Sequence, residues 1–366
     1  MNKNIHIGIA GAGRIGTAIY ELLVSSNSEY KVSIADIVDK DIPQDDFVKL
    51  KVTKPTYEPD GTGKSVQFKE FVKDKSLIIN ALPYHHNIDL YQYCYEYDVP
   101  YFDLSEDEEL DNYIKKLQSI PFTMPHCGLA PGMSTVITNH LITEFTELYD
   151  VKIRVGALSQ NATNKLRYHS SWSGDGLVNE YLGDCQVVQK GQFGLVPALS
   201  GYEKITIDGK EYEAFHTSGG IGTFAKTLSC RYPFVNVNYK TLRRIGHHDY
   251  VDFLFNDLGI SQHDLISIFK NHIPTTRKDV VILYAYAGGN KNNNDYIEKT
   301  YYKAFKPERI NGRFMTAIEY TTAIGLLAMV ELYINGKLPQ DGYVKQESVN
   351  LKDVLSTTFG SYYRED

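Results

Sequence analysis

At 366 residues the chain is too long for one compact core, which suggests two domains. Its 42 % apolar and 23 % charged content is that of a globular protein with an ordinary water-facing surface. A net charge of -7 gives no basis for nucleic acid or an anionic membrane as partner, and so excludes the strongly basic function classes.

A predicted strand begins at once, over 4–10, with no basic, apolar and cleavable leader ahead of it. Gly11-Ala12-Gly13-Arg14-Ile15-Gly16 follows and opens a predicted helix over 14–26, after which a second strand, 31–36, ends on Asp36. A strand, a glycine turn, a helix and a placed acid together make a dinucleotide-binding unit. Gly11 allows the tight turn, Gly13 lets backbone amides approach a pyrophosphate, and Gly16 lets the helix lie close to the strand. The first helical turn, at Arg14 and Ile15, offers unpaired N–H groups to the phosphates. Asp36 lies twenty positions past Gly16, where it can accept from both ribose hydroxyls and would repel a 2′-phosphate. The expected cofactor is therefore NAD rather than NADP, with Lys40 and Arg14 as nearby cations that work against that preference.

Further strands are predicted at 48–52, 76–80, 100–103 and 121–125, with helices at 64–73, 87–97 and 106–118. Six strands alternating with helices suit a complete Rossmann-type doubly wound parallel sheet, with its ligand crevice at the strands' carboxyl ends. The informative loops are then Ala81-Leu82-Pro83-Tyr84, Asp103-Leu104-Ser105 and Cys127 to Ser134. Gly61 to Ser65 resembles the end of a P-loop, but Glu58 stands where that motif needs glycine. The pairs His85-His86 and His247-His248, read as strand residues, point to opposite faces, and no acid or cysteine cluster completes a metal set. The four cysteines are isolated, a usage that fits a reducing cytoplasm.

From about 150 the texture changes. Strands are predicted at 151–158, 165–172, 185–190, 202–207, 235–242, 279–287 and 296–305, with helices at 247–258 and 261–271. This pattern predicts a second, α+β domain on a mostly antiparallel sheet, which by fold-level analogy offers a homodimer surface. Gly288 to Asp295 reads as a polar, mobile hairpin tip. Met315 to Ile334 reads as one long apolar helix ended by Asn335-Gly336; its membrane-like run, Thr322 to Val330, stops at Glu331, far short of a span. A helix this apolar is expected to return to the first domain. The nucleotide domain is then 1–130 plus about 315–366, and a substrate and dimerisation domain covers about 131–314.

Four segments carry a family resemblance. Pro125 to Ser134 (PHCGLAPGMS), Gly176 to Tyr181 (GLVNEY), Glu213 to Gly220 (EAFHTSGG) and Tyr239 to His247 (YKTLRRIGH) resemble, in order and spacing, segments of the saccharopine dehydrogenase-like family. The branch they resemble most is that of lysine 6-dehydrogenases and saccharopine reductases, and Thr321 to Ala323 and Gly342 to Glu347 fit its returning helix and tail. Arg244-Ile245 departs from the branch's usual Tyr-Pro, and His216 and Ser218 stand in a segment that is more acidic in the family. The resemblance implies nicotinamide-dependent interconversion of an amine and an imine. It also puts Ala81, Leu82, Pro83, Gly128 and Leu129 beside the nucleotide, with Asp103 and Ser105 near the nicotinamide.

Oxidation of an amine needs a neutral nitrogen, hence a base with a tuned pKa within hydrogen-bond reach. Lys240 is the preferred base, its pKa lowered by burial beside Arg243; otherwise it is a strand lysine facing water. His247 is the second candidate, with a helix start as its plainer role. Asp103 either orients the amine, takes its proton as a third candidate base, or only caps the helix that follows. Arg243 is read as a bidentate clamp for an α-carboxylate, with Thr241 beside it. Glu180 either pairs with an ammonium group or is a surface helix acid, and Cys127 lines the pocket as a small buried thiol.

The reading is thus a cytoplasmic, dimeric, NAD-dependent amino-acid dehydrogenase acting on the CH–NH group of a basic amino acid as its small-molecule substrate, lysine 6-dehydrogenase-like. Two alternatives stay open: reductive condensation of an amine with an aldehyde, and a catalytically silent NAD-binding sensor.

Overall fold

The computed structural model describes residues 5–26, 29–51, 67–292 and 295–364. The resemblance to a P-loop at Gly61 to Ser65 lies outside them, as does the start of the helix expected from 64. The described chain divides into two compact units, one drawn from Met1–Gly128 with Thr322–Arg364 and one from Leu129–Thr321.

The first unit alternates strands and helices: β1 (Ile5–Ala10), α1 (Arg14–Ser26), β2 (Tyr30–Asp36), β3 (Phe47–Lys49), α2 (Lys69–Val72), β4 (Leu77–Asn80), α3 (Asn87–Glu96), β5 (Tyr101–Asp103), α4 (Glu108–Ile114) and β6 (Thr123–Met124). Every ladder is parallel and the strand order is 3-2-1-4-5-6, the doubly wound arrangement whose order reverses between β1 and β4. Central strands read as apolar runs because both faces are covered; Ile7, Ile9, Ile78 and Ile79 have no exposed surface. Beside β6, Thr123 donates its N–H to Gly342 O and accepts from Val344 N at its own carbonyl, so the returning tail finishes this edge.

The second unit comprises α5 (Met133–Leu141), β7 (Glu147–Ser159), α6 (Gly174–Glu180), β8 (Asp184–Gln189), β9 (Gln192–Pro197), β10 (Glu203–Ile207), β11 (Lys210–Phe215), α7 (Phe224–Arg231), β12 (Asn236–Arg243), α8 (His247–Asp252), α9 (Gln262–His272), β13 (Asp279–Lys291), β14 (Asp295–Phe305), β15 (Glu308–Ile310) and β16 (Arg313–Met315). Its eight-stranded sheet runs β10-β11-β12-β7-β13-β14, with the β8–β9 hairpin joined to β12. All ladders are antiparallel except β12 against β7. One face carries the helices, with Tyr168, Tyr181, Phe215 and Val251 in its core; the other gathers Leu158, Tyr212, Leu242 and Ile282.

Helix α10 (Ala317–Ile334) starts in the second unit and continues in the first. It is long and apolar enough to cross a membrane by composition alone, yet its residues are mostly buried inside the protein, as in a core helix. The N–H groups of Ala317 and Ile318 are capped by the Asp279 carboxylate at 2.8 and 3.0 Å, and Gly336 ends the helix with a positive φ of 68°. Helix α11 (Leu351–Ser356) closes the tail.

Two expected elements differ. The strand expected over 165–172 is a looped segment, because Asn164 brackets it: its amide donates to Tyr168 O (2.8 Å) and accepts from Tyr168 N (3.1 Å). Such Asx bracketing competes with a ladder. The hairpin tip is also shorter than expected. Gly288 to Lys291 pair with β14, and a bulge at Gly288-Gly289 brings that backbone against β7. A Cβ on Gly289 would sit 2.1 Å from Glu147 O, so these glycines serve close strand packing.

Candidate functional site

The glycine turn has three distinct steric environments. Gly11 has φ +101° and a Cβ there would meet Ala81 O at 2.7 Å, so only glycine fits between the two loops. A Cβ on Gly16 would lie 1.9 Å from Gly11 O, which is how closely α1 sits on the turn. At Gly13 a Cβ would meet nothing within 4 Å. That open side, at the positive end of a helix, fits a diphosphate, and a side chain there would occupy its space. Asp36 closes the turn: its carboxylate accepts from Ala12 N (2.9 Å) and Val38 N (3.0 Å), one bond on each oxygen. Each oxygen keeps capacity for a ribose hydroxyl. Arg14 and Ile15 begin α1.

Ala81, Leu82 and Pro83 leave the end of β4 beside this turn. Ala81 N donates to Ala10 O (2.8 Å), and Leu82 N to the side chain of Asn80 (3.0 Å). Asn80 is the last residue of β4, a polar group ending an apolar run, and it heads a buried network the sequence reading missed. Its amide donates to Asn87 (2.7 Å), Tyr101 OH (2.8 Å) and Asp103 (3.0 Å). Asn87 in turn donates to Ser105 Oγ (2.8 Å) and Asp107 (2.9 Å).

This network corrects the role expected of Asp103. Its carboxylate is 1 % exposed and accepts from Tyr101 OH, Ser105 N and Ser105 Oγ at 2.5 to 2.6 Å. Burial raises its pKa, while the Ser105 and Tyr101 donors act to hold the charge. A group so enclosed anchors the β5 loop and is not an accessible base. The cap of α4 is Asp107, which accepts from Glu109 N and Leu110 N. Cys127 is buried, donates its N–H to Asp103 O (2.7 Å) and its thiol to Met124 O (3.0 Å); burial lifts the thiol well above its ordinary pKa. Gly128 ends the first unit's leading segment and Leu129, buried, begins the second unit.

In the second unit the chemistry divides across β12. Successive side chains on a strand point to opposite faces. Thr241 and Arg243 share the helix-covered face. There Arg243 donates from Nε to Tyr181 OH (3.0 Å), from Nη1 to Thr241 Oγ1 (2.8 Å) and Leu242 O (3.1 Å), and from Nη2 to Glu180 (2.8 Å). The rings of Tyr168 and Tyr181 lie 5.4 and 5.7 Å from its guanidinium. Four of its five donors are thus committed to protein, which rules out the expected bidentate clamp on a substrate. Arg243 positions Glu180 instead. The Glu180 side chain remains 25 % exposed, and burial raises its pKa against the pull of Arg243.

His247, fully buried, is held at both nitrogens: Nδ1 lies 2.9 Å from Leu166 O and Nε2 2.9 Å from Tyr181 OH. A carbonyl only accepts, so Nδ1 carries the proton and Nε2 accepts from Tyr181. Burial, with the nearby Arg243 charge, lowers its pKa to about 3. With its basic nitrogen occupied, His247 is a structural imidazole and not a free base. Neither histidine pair lies on a strand: His85 and His86 form a helical turn and His247 and His248 open α8. Among the described residues no three His, Cys, Asp or Glu gather as a metal site.

Lys240 faces the other way. Its Nζ donates to Glu203 (2.9 Å), which also accepts from Arg154 Nε (2.6 Å). Arg154 is its cross-strand neighbour on β7. Burial lowers the pKa of Lys240, Glu203 opposes this, and Arg154 and Lys152 add to it, where Arg243 was the expected neighbour. His216 joins this cluster through Gly201, whose Cβ would touch both side chains, and burial with the Lys240 charge lowers its pKa to about 4. Of the expected set, the structure brings Arg243, Thr241, Glu180 and His247 together and leaves Lys240 on the reverse face. Tyr181, Asn80 and Glu203 were missed; Tyr181 stood beside Glu180 in a quoted motif and could have been found there.

Comparison with known proteins gives a consistent result. Residues 7–120 match the family model described as the saccharopine dehydrogenase NADP binding domain, and residues 128–360 match that of the saccharopine dehydrogenase C-terminal domain. The fold is similar to that of an apo saccharopine dehydrogenase (L-Glu forming) from Saccharomyces cerevisiae, with a TM-score of 0.72 and 15 % identity over 98 % of each chain. It is also similar to a homospermidine synthase from Legionella pneumophila solved with NAD, at TM-score 0.67 and 13 % identity, covering 99 % of this chain and 90 % of that one.

Proposed function

The chain belongs to the saccharopine dehydrogenase family of oxidoreductases, and from that premise we propose an NAD-dependent dehydrogenase that oxidises the CH–NH group of a basic amino acid, as a lysine 6-dehydrogenase does. The observation that carries this reading is the Glu180–Arg243 pair: a carboxylate whose pKa burial raises, fixed by a guanidinium with four of its five donors engaged, still partly open to solvent.

NAD is favoured over NADP because Asp36 presents its charge where a 2′-phosphate would sit. The matched family model bears the name of NADP, so this preference is a property proposed for this chain's own Asp36. When bound, the nicotinamide supplies the acceptor for the hydride that leaves the amine-bearing carbon. The remaining steps belong to the protein and water. Glu180 accepts the substrate ammonium on Oε1, which carries no hydrogen bond among the described residues, and takes one proton to free the nitrogen lone pair. Its raised pKa moves it toward the range where a carboxylate can hold that proton. Arg243 keeps Glu180 oriented, and Tyr181 and Thr241 keep Arg243 in place. Water then adds to the imine, giving an aldehyde and ammonia.

The test is a spectrophotometric screen of lysine, ornithine, saccharopine and polyamine precursors with each nucleotide. NADH formed from a diamino acid with NAD is the expected result. No reduced nucleotide from any of them at mildly alkaline pH would refute the reading. Family membership also favours a second reading, reductive joining of an amine to an aldehyde, which nucleotide oxidation that needs both partners would select.

A further inference from the structure

We propose that the face of the second unit's sheet turned away from Arg243 carries a separate binding site for a flat-bodied organic anion, centred on Arg244. The residue follows Arg243, the last residue of β12, and its side chain lies with Tyr212, Val280 and Ile282 on the face that holds Leu242, away from the Glu180 cluster. It lines a cavity of about 490 Å³, within the range of ~300–1,000 Å³ typical of small-molecule sites.

The cavity has the two kinds of wall such a ligand needs. Its floor is apolar, from Val280 and Ile282 on β13 and Ala304 on β14, over the buried Leu242. Tyr212 and Tyr302 flank that floor. The rim is cationic: Lys210 from β11, Arg244 from the end of β12, and Lys306 just past β14. Asp208 is the one acid among the described lining residues, and its carboxylate already accepts from Tyr302 OH at 3.3 Å. The balance of charge therefore favours an anion.

Arg244 is half-buried, and its guanidinium lies 5.4 Å from the centre of the Tyr212 ring. A cation–π contact of that kind holds the guanidinium beside the ring, at the mouth of the cavity, where its fork can meet a carboxylate or a phosphate edge. A bare inorganic anion would use the rim and leave the apolar floor wet, whereas an anion with an aromatic or unsaturated body covers both.

The experiment is a fluorescence titration of the full chain, saturated with NAD, using 8-anilinonaphthalene-1-sulfonate, with inorganic phosphate as competitor in a second arm. Saturable binding that survives NAD, that Arg244→Ala weakens tenfold or more, that Arg244→Lys weakens less, and that phosphate displaces only at far higher concentration is the expected result. Loss of the signal on adding NAD, or the same affinity in Arg244→Ala as in the parent, overturns the site. Displacement by phosphate as readily as by the dye itself overturns the flat-body requirement. Should Arg244→Ala not fold, the exposed double variant Lys210→Gln/Lys306→Gln decides. A several-fold weaker dye affinity with a flatter salt dependence supports the proposal, and unchanged behaviour overturns it.

Discussion

Lys240 and Arg243 stand three residues apart on β12 and project from opposite faces of one sheet, each into its own set of partners. Glu203 and Arg154 enclose the lysine; Glu180, Tyr181 and Thr241 enclose the arginine. Two buried cations that look like one site in sequence are two electrostatic environments with a peptide strand between them.

That division predicts different phenotypes. Lys240→Met should leave kcat within about threefold of the parent, while Glu180→Gln, which retains shape and loses the acid, should lower kcat by ~10²–10⁴, the usual contribution of a general base. Steady-state kinetics on both variants decide. Equal loss in the two would return Lys240 to the reaction.

Arg243→Met should destabilise the fold, because it leaves the Glu180 carboxylate without its partner. Breaking a buried pair from one side costs about 3–5 kcal/mol. Urea unfolding of Arg243→Met and of the double variant with Glu180→Gln measures it, with the double variant recovering part of the loss. A single variant as stable as the parent would show that the pair is not coupled.

Glycine-turn variants should separate binding from folding. Gly13→Ala places its methyl in open space and should melt like the parent while binding NAD at least tenfold more weakly. Gly16→Ala drives its methyl into Gly11 O and should lower the melting temperature as well. Paired calorimetric and melting curves read both effects, and intact NAD affinity in Gly13→Ala would remove the diphosphate from that turn.

Asp36→Ala should weaken NAD by about 10–100-fold, the range for hydrogen bonds to a charged group, and NADP by less. Fluorescence titration with both reduced nucleotides checks the ratio. An equal loss for the two would make Asp36 only a brace for Ala12 N and Val38 N.

Stability should depend on pH through His247 and His216. Both are held neutral in the fold, at about 3 and about 4, against an ordinary value of 6.5. Between those values and 6.5 the unfolded chain binds more protons, so stability rises with pH and is lost as pH falls from 6.5 toward 4. Unfolding free energies from pH 4.5 to 7 should show that slope, and His216→Asn should flatten it.

Much of the fold was legible because local chemistry and architecture agree in the first 128 residues. Apolar runs mark buried parallel strands, and Gly11 and Gly16 each meet a steric demand visible in the spacing of the motif. The strand at 165–172 failed because Asn164 satisfies the backbone locally, a competitor the alternation of apolar residues does not display. At the site, the parity of Lys240 and Arg243 was present in the sequence: an odd spacing on a strand separates side chains. The resemblance of the whole segment to a known motif outweighed it. Asp103 could not have been placed without coordinates, since its donors come from Tyr101 and Ser105 through a network headed by Asn80, and only packing reveals that both its oxygens are occupied.

The edge bonding of Thr123 to Gly342 and Val344 bears on how the polypeptide is born. Translation delivers the first 128 residues long before the segment that finishes their last strand. A ribosome more than two hundred codons past Thr123 still holds that sheet with an unpaired border. Completion of the first unit therefore waits for Gly342 to Val344, and loss of that segment strikes the part of the molecule made first.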